Sequence, residues 1–344
     1  MRIAIGLGLA TEDWKAAGAY VVEAERMGVD AVWSAEAWGH DAVSPLAFLA
    51  ARTSRLRLGT GIMQAGTRTP ALVAMTAMSM AALSEGRFML GLGTSGPQVI
   101  EGWHGIRFER PVQRMRETVE IVRRALRGER VEYKGRVYEL PLPGGEGKAL
   151  RSAARPQPHV PIYLATLTPR SLEMTGEIAD GWLGTSFMPE HAHVFLDHLA
   201  AGATRAGRTL AQLDLQVAAG VVSFSDDVER LIPPRKPGLA FTLGAMGSRE
   251  HNFYNEAYRR AGYEDVALEV QRLWLDNKRE EAVARVPDAL VLKTNLLGTE
   301  AMIRRRLEIY RDAGISTLRV EPAGDSLEAR VATLARLMEI LRGV

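Results

Sequence analysis

The chain has 344 residues, enough for one barrel with insertions or two smaller domains, and 47% are hydrophobic, so a large core is within reach. Its 43 Lys and Arg against 41 Asp and Glu leave a net charge of +2 with the signs interspersed, which argues against a nucleic-acid-binding protein. With no cysteine, disulfides, thiolate metal sites and Cys nucleophiles are excluded, and a reducing cytoplasm is compatible.

The opening MRIAIGLGLATED is too short an apolar run to span a membrane and lacks a signal-peptide layout, so it reads as a first core strand. Eight strands are expected at Arg2–Leu9, Asp30–Ala35, Leu56–Ile62, Arg87–Gly93, Pro161–Thr166, Gly181–Ser186, Leu213–Val222 and Ser316–Glu321. Several, such as Ile162–Leu164 and Phe88–Leu90, are apolar without alternation, as strands covered on both faces are. Helical spacing recurs between them: Trp14, Ala17, Val21, Ala24 and Met27; then Val112, Met115, Val119, Val122 and Leu126; finally Leu327, Val331, Leu334, Met338 and Leu341. Thr69-Pro70 and Thr168-Pro169 read as helix starts, and Asp325 with Glu328 as a capping-box-like pair. Gly28, Gly128 and Gly314 read as stops.

Eight βα units predict a single-domain α/β fold, a closed (β/α)8 TIM barrel, with a doubly wound open sheet as the alternative. Two inserts interrupt the repeat after strands four and seven, at Gly128–His159 and Phe224–Thr299. Both are expected at the C-terminal face, where loops of this fold build sites.

Gly91–Gly96 (GLGTSG) is formally a GxGxxG after a strand, but Pro97, Gly102 and Gly105 break any early helix and Glu117 lies within a helix rather than at a strand end. A dinucleotide site is therefore disfavoured, and the glycines better suit close approach of backbone to a planar ligand. His191 and His193 sit at a helix start where i and i+2 face apart, so no metal is assigned. Met75, Met78 and Met80, among Ala71, Ala74, Ala77 and Ala81, suit core packing or a subunit interface. The runs Arg123, Arg124, Arg127, Arg130 and Arg304–Arg306 read as solvated helix faces. After the second strand come Trp33, Glu36, Trp38, His40 and Asp41. A carboxylate at a barrel strand's end suits either a site or a loop ion pair, and Trp38 either a ligand or a plug for the mouth.

Three stretches together resemble the bacterial luciferase-like flavin and coenzyme F420 enzymes: VWSAEAWGHDA; LRLGTGIMQAGTRTPALVAMTAMSMAALSEGRFMLGLGTSGPQVIEGWHG; and PIYLATLTPRSLEMTGEIADGW. The SGPQVIEGWHG and YELPLPGGEGKALR segments look most like the actinobacterial F420-dependent group. The resemblance spans almost the whole chain and is weakest over Phe224–Val291. It implies a deazaflavin at the C-terminal mouth, with a non-prolyl cis peptide mapping onto Gly61-Ile62 as a ridge behind the ring. The ring edge would meet Glu36, Thr94 and Gly96, and the phosphate side Thr166 and Gly184, Thr185 and Ser186. The helix after Pro169 would offer free N–H groups to phosphate.

Two departures matter. Ala37 stands where the family's sugar-phosphate dehydrogenases carry a catalytic His, and Thr94-Ser95-Gly96 where they carry a Glu. The chain therefore looks like a reductase-type member, in which the cofactor does the hydride chemistry. Glu36, His40 and His104 are the catalytic candidates, with Glu101 or water as other proton sources; Trp38, Trp103, Trp182 and Phe187 are the candidates for walls of the substrate pocket. The resemblance leaves an FMN-dependent monooxygenase or a non-catalytic deazaflavin or flavin binder as alternatives. It also implies a homodimer acting on a small molecule, with no nucleic acid and no membrane insertion.

Overall fold

The computed structural model describes residues 1–8, 11–247 and 252–344. Leu9, expected to end the first strand, and residues 248–251 of the second insert lie outside them.

All eight expected strands form: β1 Arg2–Leu7, β2 Ala31–Ser34, β3 Arg57–Thr60, β4 Phe88–Gly93, β5 Ile162–Ala165, β6 Gly181–Gly184, β7 Asp214–Phe224 and β8 Thr317–Pro322. Each pairs in parallel with its neighbours, and β8 returns to β1, so the sheet closes and the open-sheet alternative falls. The surrounding helices are α1 Trp14–Arg26, α2 Ser44–Ala50, α3 Pro70–Leu83, α4 Pro111–Leu126, α5 Pro169–Ile178, α6 His193–Arg205, α7 Glu300–Asp312 and α8 Leu327–Leu341.

Helix boundaries follow local chemistry. Thr69 caps α3 by accepting from Leu72 N, with Pro70 fixing the first φ. Gly28, Gly128 and Gly314 each follow a helix with φ of 88°, 77° and 80°, the left-handed conformation that ends helices. The start of α8 differs from expectation: Ser326, not Asp325, accepts from Ala329 N at 3.1 Å.

Two layers of core result. Outward strand residues pack on the helices, while Ala4, Ala31, Trp33, Met89, Tyr163 and Leu183 fill the barrel itself. Trp33 occupies so much of the interior that a Cβ at Gly59 would lie 2.4 Å from its ring. The indole N–H donates to Gln216 Oε1 at 3.1 Å, which satisfies the one polar atom the ring buries.

A polar network closes the N-terminal end. Asp214 accepts from Arg2 at 2.6 Å, Tyr163 at 2.7 Å, Gln216 at 2.9 Å and Ser316, while Arg57 pairs with Asp30. Burial alone would raise the Asp214 carboxyl, but Ser316, Tyr163, Gln216 and Arg2 outweigh it and hold the pKa below the ordinary value.

Of the two inserts, the first departs from expectation and the second meets it. The first follows α4 rather than a strand, so it begins at the N-terminal face; Gln157 N donating to Leu126 O marks that point. Within it, Tyr133–Lys134 and Glu139–Leu140 form a short antiparallel hairpin. The buried Glu117 of α4 holds this hairpin by accepting from the N–H groups of Arg136, Val137 and Tyr138. The second insert leaves β7 directly at the C-terminal mouth and, among the described residues, adds five α-helices, including Lys236–Gly244, Phe253–Tyr258 and Glu264–Leu275.

Candidate functional site

A cavity of about 390 Å³ opens at the C-terminal mouth. The ends of four adjacent strands build one side: Glu36, Ala37 and Trp38 after β2, Ile62 after β3, Gly93–Gly96 at β4, and Ala165–Thr168 after β5. Val112 and Met115 of α4 and Met174 of α5 give it apolar walls, and Phe241, Phe253 and Tyr254 of the second insert cover it.

The glycines of GLGTSG have separate jobs. A Cβ at Gly91 would meet Thr60 O at 1.9 Å, so that glycine serves strand contact. A Cβ at Gly93 would lie 2.8 Å from Ile62, so its absence lets the Ile62 side chain reach the cavity edge. The Gly61-Ile62 peptide is cis, as the resemblance implied.

Glu36 is held by four donors. Gln64 N at 2.8 Å and Arg68 Nη1 take Oε1; Ala42 N at 3.1 Å and Arg68 Nη2 at 3.0 Å take Oε2. A carboxylate has about four acceptor positions, so this one has none to spare for a proton transfer. Its work is to tie the loop after β2 to the loop after β3, where Glu36 N also donates to Ile62 O at 3.1 Å. The structure therefore favours the ion-pair reading over the catalytic one.

The other expected site residues divide. Thr94, Gly96, Thr166 and Trp38 line the cavity, and Trp38 is 54% exposed at its edge. Thr166 turns its hydroxyl to Thr175 at 2.8 Å and offers the cavity its loop. His40 faces away, bonding Thr11 O at 3.0 Å and stacking on Trp14. His104 and Trp103 are exposed and border no part of the cavity.

Trp182 and Phe187 are core, contrary to the pocket expectation. They pack with Phe195 at ring separations of 5.5 and 5.7 Å beneath the mouth. Trp182 Nε1 braces the site from below by donating to Thr166 O at 3.0 Å. Gly184, Thr185 and Ser186 are also absent from the lining. Gly184 lies under the Trp182 ring, which leaves no room for a Cβ, and Ser186 is buried with φ of 54°.

Four residues were missed by the sequence reading. Phe253 and Tyr254 enter from the insert, where the pattern is least family-like. Burial raises the Tyr254 phenol, with Arg319 opposing, so the hydroxyl stays protonated at neutral pH. Arg260 donates to Leu167 O and fixes the loop after β5. Arg319 points inward from β8. Beside the main cavity, sharing Pro111 and Val112, lies an open groove of about 410 Å³ lined by Arg110, Arg136 and Arg170. No acid pairs with these three arginines among the described residues. The first insert thus reaches the rim only through Arg136, and no residue of it lines the main cavity.

Among the described residues no cluster of three or more His, Asp or Glu is placed to hold a metal, and no helix is long and apolar enough to cross a membrane. What the fold and cavity define is a (β/α)8 barrel with a largely apolar cavity, bordered by several hydroxyl-bearing residues, at its C-terminal mouth. The family model for luciferase-like monooxygenases matches residues 1–317, and the chain belongs to that family. It is 38% identical, over 96% of its length and 98% of the relative's, to a Mycobacterium tuberculosis protein provisionally named a coenzyme F420-dependent oxidoreductase. It is 31% identical, over 86% of both chains, to the 5,10-methylenetetrahydromethanopterin reductase of Archaeoglobus fulgidus. The solved coenzyme F420-dependent tetrahydromethanopterin reductase of Methanopyrus kandleri superposes with a TM-score of 0.81 over 99% of both chains, at 22% identity.

Proposed function

We propose that this protein is a coenzyme F420-dependent oxidoreductase that transfers a hydride between the deazaflavin C5 and a small organic substrate. The observation that carries this reading is the cavity itself. Its lining is mostly apolar, with Ile62, Ala165, Met115 and Met174, and is bordered by the polar residues Thr94, Ser95 and Thr168. Such a lining suits a tricyclic ring with polar rims, and the name of the Mycobacterium tuberculosis relative points to the same cofactor. When bound, the deazaflavin supplies the hydride chemistry.

The chain's own residues orient and shield. Ile62 backs the ring, with Glu36 and Arg68 locking the two loops that hold it in place. The N-terminus of α5 and the arginines of the rim groove suit the anionic side chain of the cofactor. Phe241 and Phe253 exclude water from the face opposite Ile62. The protonated Tyr254 is the proton source nearest in kind to what a reduction needs, and it replaces His40 and His104, which the fold turns away.

Titration of the purified protein with F420 and, separately, FMN, followed by cofactor fluorescence, tests the assignment. Micromolar or tighter F420 binding with weak FMN binding is expected. Preference for FMN would move the protein to the monooxygenases, and binding of neither would overturn the site.

We further propose a cytoplasmic homodimer formed through α3. Met78 and Met80 of its Met/Ala pattern are buried in the core, but Leu72, Met75 and Leu83 form an apolar stripe 47–61% exposed. Sedimentation of Met75→Glu should give a monomer where the unaltered protein gives a dimer.

A further inference from the structure

Arg319 is the barrel's anomaly. Along β8, Leu318 and Val320 face the outer core, so Arg319 faces inward, level with Ala4 of β1 and Ala218 of β7. Its Nη2 donates to Gly184 O at 2.7 Å, its Nε has no partner, and no carboxylate among the described residues lies within ion-pair distance. The inward arginines at the other end, Arg2 and Arg57, are each paired with acids. Burial pushes the Arg319 guanidinium down to about 10, so it remains a cation at neutral pH.

The space around it is open. Gly6, one inward position further along β1, is exposed, and no atom lies within 4 Å of where its Cβ would be. Ala218 is only half-buried. Tyr254, which lines the main cavity, feels the Arg319 charge. Arg319 is not itself among the residues that line the main cavity; the lumen beside β1, β7 and β8 lies across the barrel from β3 and Ile62, on the side where a substrate would meet the cofactor.

An enclosed charge without a counter-ion is costly, and it is tolerated where a ligand supplies the partner. We infer that Arg319 anchors a carboxylate of the substrate, so that the substrate is an acid with an apolar body. One guanidinium neutralises a monoanion; a phosphate dianion would need a second cation, and no Lys or Arg lines the main cavity among the described residues. The apolar body would lie against Phe253 and Tyr254. Only the word substrate rests on the reading proposed above; the anion site does not.

The test is calorimetric titration with 4-phenylbutyrate, 4-phenylbutyramide and 3-phenylpropyl phosphate, with and without F420. The carboxylate should bind about tenfold tighter than the amide, as loss of a charge-assisted hydrogen bond predicts. Arg319→Gln should abolish that preference and Arg319→Lys should keep part of it. Ala218→Leu, which fills the lumen without touching the charge, should weaken the carboxylate alone. Equal binding of acid and amide, binding of neither, tighter binding of the phosphate, or a preference that survives Arg319→Gln would each overturn the inference. Thermal unfolding separates a brace from an anchor: an anchor leaves the Tm of Arg319→Met unchanged or raised, whereas a marked fall in Tm would assign Arg319 to bracing Gly184. An Arg319-dependent carboxylate preference without any F420 binding would leave this site standing and sink the cofactor assignment.

Discussion

The two ends of the barrel are built on different terms. At the N-terminal end every charge is answered: Asp214 gathers Arg2, Tyr163, Gln216 and Ser316, and Arg57 pairs with Asp30. At the C-terminal end Glu36 and Arg68 saturate each other, but Arg319, Arg110, Arg136 and Arg170 have no acid among the described residues. A closed network specifies and holds a fold, whereas unanswered cations around a cavity are what an anionic ligand completes. The difference separates residues whose loss unfolds the chain from residues whose loss empties the site.

The sharpest break of that contrast is Asp214→Ala. It strands the inward guanidinium of Arg2 and the Tyr163 hydroxyl, and should cost about 3–5 kcal/mol in denaturant unfolding while the folded fraction binds F420 normally. A loss below about 1 kcal/mol would show that the closed end does not hold the barrel. Trp182→Ala should cost a comparable ~3–5 kcal/mol. If it instead changed only substrate affinity, Trp182 would belong to the pocket after all.

Glu36→Gln tests the middle ground, being a mouth residue built like a closed-end one. It keeps the shape but removes the charge facing Arg68, so stability should fall by about 1–3 kcal/mol and F420 binding weaken through the loosened Ile62 loop. A variant that bound F420 normally yet lost turnover would restore Glu36 as a catalytic group.

A smaller effect is expected at Glu117, which anchors the first insert. Burial would raise its pKa, but Gln113 and three backbone N–H groups hold it below the ordinary carboxylate value. A depressed folded pKa gives stability that is complete above the unfolded value and lost as pH falls through the folded one. The unfolding free energy should therefore drop more steeply with acid below about pH 4.5 than in Glu117→Gln. Parallel pH profiles for the two proteins would remove Glu117 from this role. The smallest effects belong to His40→Ala and His104→Ala, expected to leave turnover unchanged; a loss of tenfold in either would return a proton-transfer role to that histidine.

Much of this was legible in the chain. Strand cores such as Phe88–Leu90 and Ile162–Leu164 carry no alternation because helices and barrel interior cover both faces, and that pattern is local. Proline and glycine punctuation set helix ends for the same reason. On the mouth, Ile62, Thr94, Gly96 and Thr166 came from the resemblance to the luciferase-like family, and all four sit at strand ends, which converge in a barrel. Trp182 and Phe187 were misplaced because an aromatic within or just past a strand reads alike whether it turns into the mouth or under it. The first insert was expected at the C-terminal face although the helical spacing ending at Leu126 and the Gly128 stop place its start after a helix, at the opposite face.

The sequence by itself determined the eight βα units and where their strands end, because hydrophobic period and turn chemistry act over a few residues; the pairing of β8 with β1 decided that the sheet closes. Only the tertiary structure decided what each polar group faces. Glu36 became an anchor when Arg68, 32 positions away, came within its reach, and Arg319 was left without an acid when β8 closed against β1. Charge pairing depends on distances that closure of the barrel sets, and no window of sequence contains them.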